Sequence, residues 1–301
     1  MSVGLTASLV AFAGIRSTLS NFRLDESNLW DFSFILAPVS VLVFLAACGY
    51  AWRGDDALSP SVFRTVGTTL RDWLPFLIFS LTYETFRSRI WTVVLVRDRD
   101  SELLRLDRLL FGETPSVLLQ RVITPLLTNA MSAFYFLHLV APPVLAYVLY
   151  RRDRRLFREF LFAILLSGVI GSAGYLAVPA TGPQVAFPEL FQVPLQGNVF
   201  DPITRILETA RAPRDVFPSL HVGVSTIVLY YAFRQGRVPG LLLLPFVAGN
   251  WISTLYLRYH YLIDVFAGWL VAPMAIFLSG CLLGLEARWR SPRTEASPFE
   301  P

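Results

Sequence analysis

Apolar residues run in long blocks separated by short breaks rich in arginine or in proline and glycine, and no segment alternates at the period of a strand. A membrane-spanning helix needs about twenty mostly apolar residues. Blocks over 31–52, 73–96, 128–150, 159–178, 219–234, 238–257 and 260–285 meet or approach that length. The fifth is the shortest and opens on polar residues, which predicts an outer end bordering a hydrated pocket. Within a bilayer an open chain satisfies its own backbone polar groups only as helix. The pattern therefore predicts an all-α fold, a polytopic transmembrane helix bundle of six core spans plus one N-terminal span. Leu5 to Ile15 is a shorter apolar stretch with no basic residue before it, and reads as an interfacial or capping helix rather than a signal peptide.

Arginines fix the orientation. Arg151, Arg152, Arg154, Arg155 and Arg158 crowd one connection, Arg234 and Arg237 another, and Arg288, Arg290 and Arg293 follow the last span. Seven spans put all three groups on one side, which the positive-inside rule makes cytoplasmic. The opposite side collects the 97–127 segment, the 179–217 loop and the 258–260 corner. The 97–127 segment is amphipathic and too polar to span, which predicts a helix lying along the outer interface. The 179–217 loop is long for a membrane connection, a length that usually signals function or disorder.

Composition narrows the chemistry. The chain is 54% hydrophobic and 16% charged, well below the roughly 25% charged typical of soluble domains. All 26 basic residues are arginine, which excludes a lysine Schiff base or a P-loop lysine. The net charge of +4 sits at the ends of apolar blocks, a membrane-anchoring pattern rather than a nucleic-acid stripe. Cys48 and Cys281 lie alone in apolar runs, too few for a disulfide framework or a zinc site. Aromatic residues at 14% suit membrane-interface belts and imply no cofactor.

The histidines are His138, His221 and His260. His221 follows Pro218 and Ser219, a pair suited to a helix start, where free amides and the helix dipole favour an anion. Asp264 stands one turn after His260 on the same helix face. A carboxylate there can fix one imidazole tautomer and leave the other nitrogen free to attack. Arg211, Arg214 and Arg258 supply guanidiniums for phosphate oxygens. Two histidines, a carboxylate and an anion-binding helix start fit phosphoryl transfer without a metal ion. His138 falls inside the third apolar block and reads as a satisfied packing residue. Arg258 also fits a snorkelling residue at the membrane boundary. Gln184 fits a phosphate donor or a loop turn, and Glu84 a structural pair with Arg87 or Arg89.

The sequence FPSLH at 217–221, followed by STLYLRYHYLID at 253–264, resembles the type 2 phosphatidic acid phosphatase superfamily. That superfamily's second signature is Pro-Ser-Gly-His, and its third is Ser-Arg, five residues, His, three residues, Asp. Here Leu220 replaces the glycine and Thr254 the arginine. The first signature, lysine then six residues then Arg-Pro, has only a loose echo from Arg205 to Pro213. These departures, with DRLLFGETP at 107–115 and YLAVPATGP at 175–183, are similar to the inositol phosphorylceramide synthase branch. The resemblance implies that His260 is the nucleophile that becomes phosphohistidine. Asp264 would orient it, His221 would act as acid and base, and Ser219 with the nearby backbone would hold phosphate.

The expectation is an integral membrane, multi-pass enzyme, metal-independent and without a cofactor. Its substrate would be a lipid phosphate or phospholipid, and its partners membrane lipids rather than nucleic acid. The site would face the periplasm or exterior of a bacterial inner or plasma membrane. Residues 1–100 form an N-terminal region with two spans, 101–285 the catalytic membrane domain and 286–301 a cytoplasmic tail. Water as acceptor makes the enzyme a lipid phosphatase, and a lipid or polyol hydroxyl makes it a head-group transferase. A non-catalytic lipid carrier is the reading from another class.

Overall fold

A computed structural model describes residues 67–74, 76–77, 97–201 and 214–290. The expected 31–52 span, nearly all of the 73–96 span, the Leu5–Ile15 helix, Glu84, Arg211 and the tail beyond 290 lie outside the described residues. Within them the fold is helical throughout, with no strand. We label the helices α1 (Asp100–Phe111), α2 (Pro115–Leu118), α3 (Pro125–Arg152), α4 (Arg154–Ala177), α5 (Pro183–Ala186), α6 (Leu220–Gln235), α7 (Arg237–Tyr256) and α8 (Leu262–Arg290). The last five expected spans thus appear as α3, α4, α6, α7 and α8.

Four of these, α3, α4, α7 and α8 through Glu286, are long and apolar enough to cross a membrane. The 16 residues of α6 reach only about 24 Å at 1.5 Å per residue, short of a hydrocarbon core of about 30 Å. Its N-terminus opens on Ser219, the polar start of that block. Helix α6 packs against α3, α4, α7 and α8, at the centre of the bundle.

Local sequence sets the helix ends. Thr124 caps α3 by accepting from Leu127 N at 3.2 Å, with Pro125 at the first position. Asp153 alone separates α3 from α4, its carboxylate accepting from Arg155 N and Leu156 N, both at 2.9 Å. Ser219 Oγ accepts from Val222 N at the start of α6. Apolar surface gains little by leaving lipid for protein, so polar bonds and close packing hold spans together. Thr128 and Tyr256 hydroxyls meet at 2.9 Å, Asn250 donates to Phe134 O at 3.2 Å, and Trp251 Nε1 donates to Ser225 Oγ at 3.1 Å. These tie α7 to α3 and α6.

The arginine-bearing helix ends gather at one end of the bundle. Arg158 reaches Glu286 at 3.2 Å, Arg155 reaches Glu159 at 3.1 Å, and Arg234 reaches Glu159 at 3.7 Å. The N-termini of α6 and α8 lie at the other end, beneath α1, α2 and α5.

The 97–127 segment does more than lie along an interface. Leu109 and Leu110 of α1 are exposed, while Asp100, Leu103, Leu104 and Asp107 are buried. Asp107 is wholly buried and accepts from Leu262 N at 2.9 Å, Ile263 N at 3.0 Å and Thr114 Oγ1 at 2.7 Å. It is the cap of α8, supplied from 155 residues earlier in the chain. Asp100 accepts from Thr181 N, from Gly182 N at 2.9 Å and from Tyr261 Oη at 2.9 Å. A helix that seemed an interfacial ornament thus fastens both the α8 start and the 180–183 loop. Gly182, with φ +86°, is required there, since a Cβ would stand 2.5 Å from Tyr259 O.

Asp107→Ala leaves two helix-start amides and a hydroxyl without their acceptor. Thermal unfolding in detergent should show a loss of about 2 kcal/mol or more, against about 1 kcal/mol for Thr114→Val. An unchanged midpoint for Asp107→Ala would refute the capping role.

Candidate active site

Where α7 meets α8 the chain turns through Leu257–Tyr261. Thr254 O accepts from both Tyr259 N at 3.0 Å and His260 N at 3.2 Å, which closes the corner. Arg258 pays for the tight turn with φ +65°, a conformation few non-glycine residues adopt. His260 is therefore held by backbone bonds on both sides of it, and the α8 cap follows at once.

Asp264 Oδ2 accepts from Tyr261 N at 2.8 Å and stands 3.5 Å from His260 Nδ1. Both side chains are buried, at 3% and 0% exposure. The contact is longer than a well-formed hydrogen bond. Such contacts in an empty site commonly tighten when substrate binds. The other nitrogen, His260 Nε2, lies 3.3 Å from His221 Nδ1. Nδ1 of His260 thus faces Asp264, and Nε2 faces His221 directly.

His221 is placed by a close crossing of α6 and α8. Ser219 N donates to Asp264 O at 3.1 Å. Gly268, one turn further along α8, lets the α6 backbone approach, because a Cβ there would stand 2.4 Å from Ser219 O. The His221 ring stacks on Tyr135 at 4.4 Å and 27° between centroids and planes, and lies 4.5 Å from the His138 ring. Tyr135 and His138 share one face of α3, three residues apart.

The sequence-predicted residues separate into groups. His221, His260, Asp264 and Ser219 converge. Arg258, two residues before His260 in the chain, is buried, its guanidinium over the Phe191 ring at 4.5 Å and donating to Val193 O. It has no carboxylate partner among the described residues, its Nε has no hydrogen-bond partner there, and burial pulls its pKa below the ordinary arginine value. Arg214 is instead engaged with Asp98, at 2.7 Å. Arg211 lies outside the described residues. Gln184 N donates to Arg258 O at 3.1 Å, so that loop turn abuts the corner. Among the described residues no three His, Cys, Asp or Glu side chains are arranged to hold a metal ion.

Tyr135, Asp100 and the capping role of Asp107 escaped the sequence reading. His138 packs against the His221 ring as expected of a packing histidine, while its buried Nδ1 has no hydrogen-bond partner among the described residues. Two aspartates seven residues apart, on the same face as Leu103 and Leu104, were the available signal for α1. The spacing of Tyr135 and His138 was the signal for α3.

The family model described as the PAP2 superfamily matches residues 101–278, more than half of the chain. The chain is similar to phosphoinositol dihydroceramide synthase of Bacteroides thetaiotaomicron, 29% identical over 223 residues, which is 65% of this chain and 71% of that protein. No solved structure matches it.

Gly268→Ala should force α6 and α8 apart and lower the melting midpoint in detergent by several degrees. Gly280→Ala on the same helix, with nothing within 4 Å of the added carbon, should leave it unchanged or slightly raised. Equal behaviour of the two variants would refute the close crossing.

Proposed function

Because the chain belongs to the PAP2 superfamily, an all-α integral membrane family by its helices here, we propose that it cleaves a lipid phosphate ester through a phosphohistidine on His260. At the coarser level it is an enzyme acting on lipid phosphate. The observation that carries the finer reading is the aligned series Asp264, His260 Nδ1, His260 Nε2 and His221 Nδ1, at 3.5 and 3.3 Å.

Asp264 holds the Nδ1 proton of His260 and offsets the positive charge that grows on the ring during attack. His260 Nε2 forms a bond to phosphorus as the bond from phosphorus to the leaving alcohol oxygen breaks. His221 delivers its Nδ1 proton to that oxygen, contributing about 10²–10⁴-fold. In the second step His221 takes the proton of the accepting O–H, the new O–P bond forms, and the N–P bond breaks. The phosphoryl oxygens meet the first amides of α6, set by Ser219, and the Arg258 guanidinium. A buried guanidinium without a carboxylate is costly, and an arriving phosphate supplies its counter-charge. Arg214 would serve phosphate only in competition with Asp98, and Arg211 keeps its proposed role from the sequence.

The site lies at the end remote from the arginine clusters, which by the positive-inside rule supports a non-cytoplasmic face. Nothing in the mechanism requires a metal ion. Catalysis falls to residues within 101–285, with 1–100 as an accessory membrane region and 286–301 as a tail. A second reading concerns the acceptor. The similarity to phosphoinositol dihydroceramide synthase favours an alcohol acceptor and transfer of a phospho-head-group over hydrolysis.

The purified protein in detergent, given lipid phosphates or phosphatidylinositol with a short-chain dihydroceramide, should release the donor's alcohol. His260→Ala should abolish this, by about 10³-fold or more, since the attacking atom is gone. Activity of the parent should survive a chelator. Turnover retained by His260→Ala would refute the nucleophile, and activity abolished by chelation would refute the metal-free mechanism. No turnover from any donor would return weight to a lipid carrier.

A further inference from the structure

We propose that His138 holds the hydroxyl of the accepting lipid, with its buried Nδ1 as the contacting atom. The inference rests on the reading of the chain as an alcohol-accepting transferase and names the group that selects the alcohol over water.

Buried polar atoms in folded proteins are nearly always paired, and one left unpaired costs about 1–3 kcal/mol. His138 Nδ1 is buried without a hydrogen-bond partner among the described residues. A group that enters the site with substrate removes that cost. The position of the ring says which group. Its centroid lies 4.5 Å from that of His221, the ring that takes the acceptor's proton, and the planes are tilted by 43°. The two rings are direct neighbours, so a hydroxyl held at His138 has the base within reach.

Depth supplies the second argument. Fourteen residues of α3 separate His138 from the arginine end at Arg152, about 21 Å of helix. Against a hydrocarbon core of about 30 Å, this level lies about 9 Å inside the outer edge of the acyl layer. An acceptor that reaches it comes from the apolar layer, whereas water and free polyols concentrate further out. Helix α3 continues thirteen residues beyond His138 to Pro125, so the level lies well below the outer helix end. The chemistry on offer is an imidazole nitrogen within the apolar layer, suited to the primary hydroxyl of a lipid alcohol.

The phosphoenzyme divides between water and alcohol, so the ratio of transfer to hydrolysis reads the acceptor step alone. Any loss common to both products cancels. The full chain in mixed micelles receives phosphatidylinositol as donor and graded short-chain dihydroceramide as acceptor, with both products measured. His138→Phe keeps the stack on His221 and removes the nitrogens; it should lower the ratio about ten-fold and raise the acceptor KM similarly. His138→Asn restores a polar atom near the Nδ1 position and should recover most of the ratio. If His138→Phe does not fold, His138→Gln, whose amide reaches the other nitrogen's position, should show the same low ratio. A ratio within two-fold of the parent in His138→Phe or its substitute would overturn the assignment, as would an equal fall in His138→Asn. A parent that only hydrolyses the donor would overturn it too, while leaving phosphohistidine chemistry on His260 standing. Donor cleavage by His260→Ala would instead remove the reading on which it rests.

Discussion

The carboxylate of Asp107 is the constraint on which the catalytic geometry depends. It is wholly buried, and its two oxygens take the first amides of α8 and the Thr114 hydroxyl. A helix start buried against other helices has no water to satisfy its free N–H groups. Asp107 supplies the acceptor from outside the helix and thereby fixes where α8 begins. Asp264 on the first turn and His260 just before it inherit that position. Asp100, one face-repeat earlier on α1, binds Thr181, Gly182 and Tyr261, so the loop bearing Gln184 is anchored to the same corner. One short helix thus sets both the floor and the rim of the site.

The second half of the geometry comes from α6. Its N-terminus is buried within the protein at Ser219 and Leu220, so its free amides and dipole are poorly screened. The glycine crossing at Gly268 brings that N-terminus against α8, and the Ser219 N to Asp264 O bond locks the two together. The nucleophile and the acid thus reach each other from separate helices through two backbone contacts. Tyr135 and His138 on α3 limit the freedom of the His221 ring from its other side.

Much of this was legible beforehand. The long helices from residue 125 onward followed from hydropathy, since the demand for backbone satisfaction leaves helix as the only solution for long apolar blocks. His221, His260 and Asp264 were legible because ionisable residues at that depth are costly and rare, and because their spacing places two of them on one turn. The capping role of Asp107 was not, because a contact across 155 residues leaves no trace in local periodicity. The motif 107–115 was noticed only as a resemblance; the structure gives it a physical task. The surroundings of the His138 nitrogens were illegible for a related reason. A histidine among aromatics looks the same in sequence whether its nitrogens are satisfied or open, and only the packed structure separates the two. Arg214 and Arg258 looked equivalent by charge, yet one is engaged by Asp98 and the other is buried without a carboxylate partner among the described residues.

The most direct measurement is to trap the covalent enzyme. The protein is mixed with donor lipid labelled in the phosphoryl group, quenched within a turnover, and digested for mass spectrometry under alkaline conditions that preserve phosphohistidine. The adduct should sit on His260, be lost on acid treatment, and accumulate when His221→Ala slows the second step more than the first. A label on another residue, or full turnover with no adduct at His260, would contradict the mechanism.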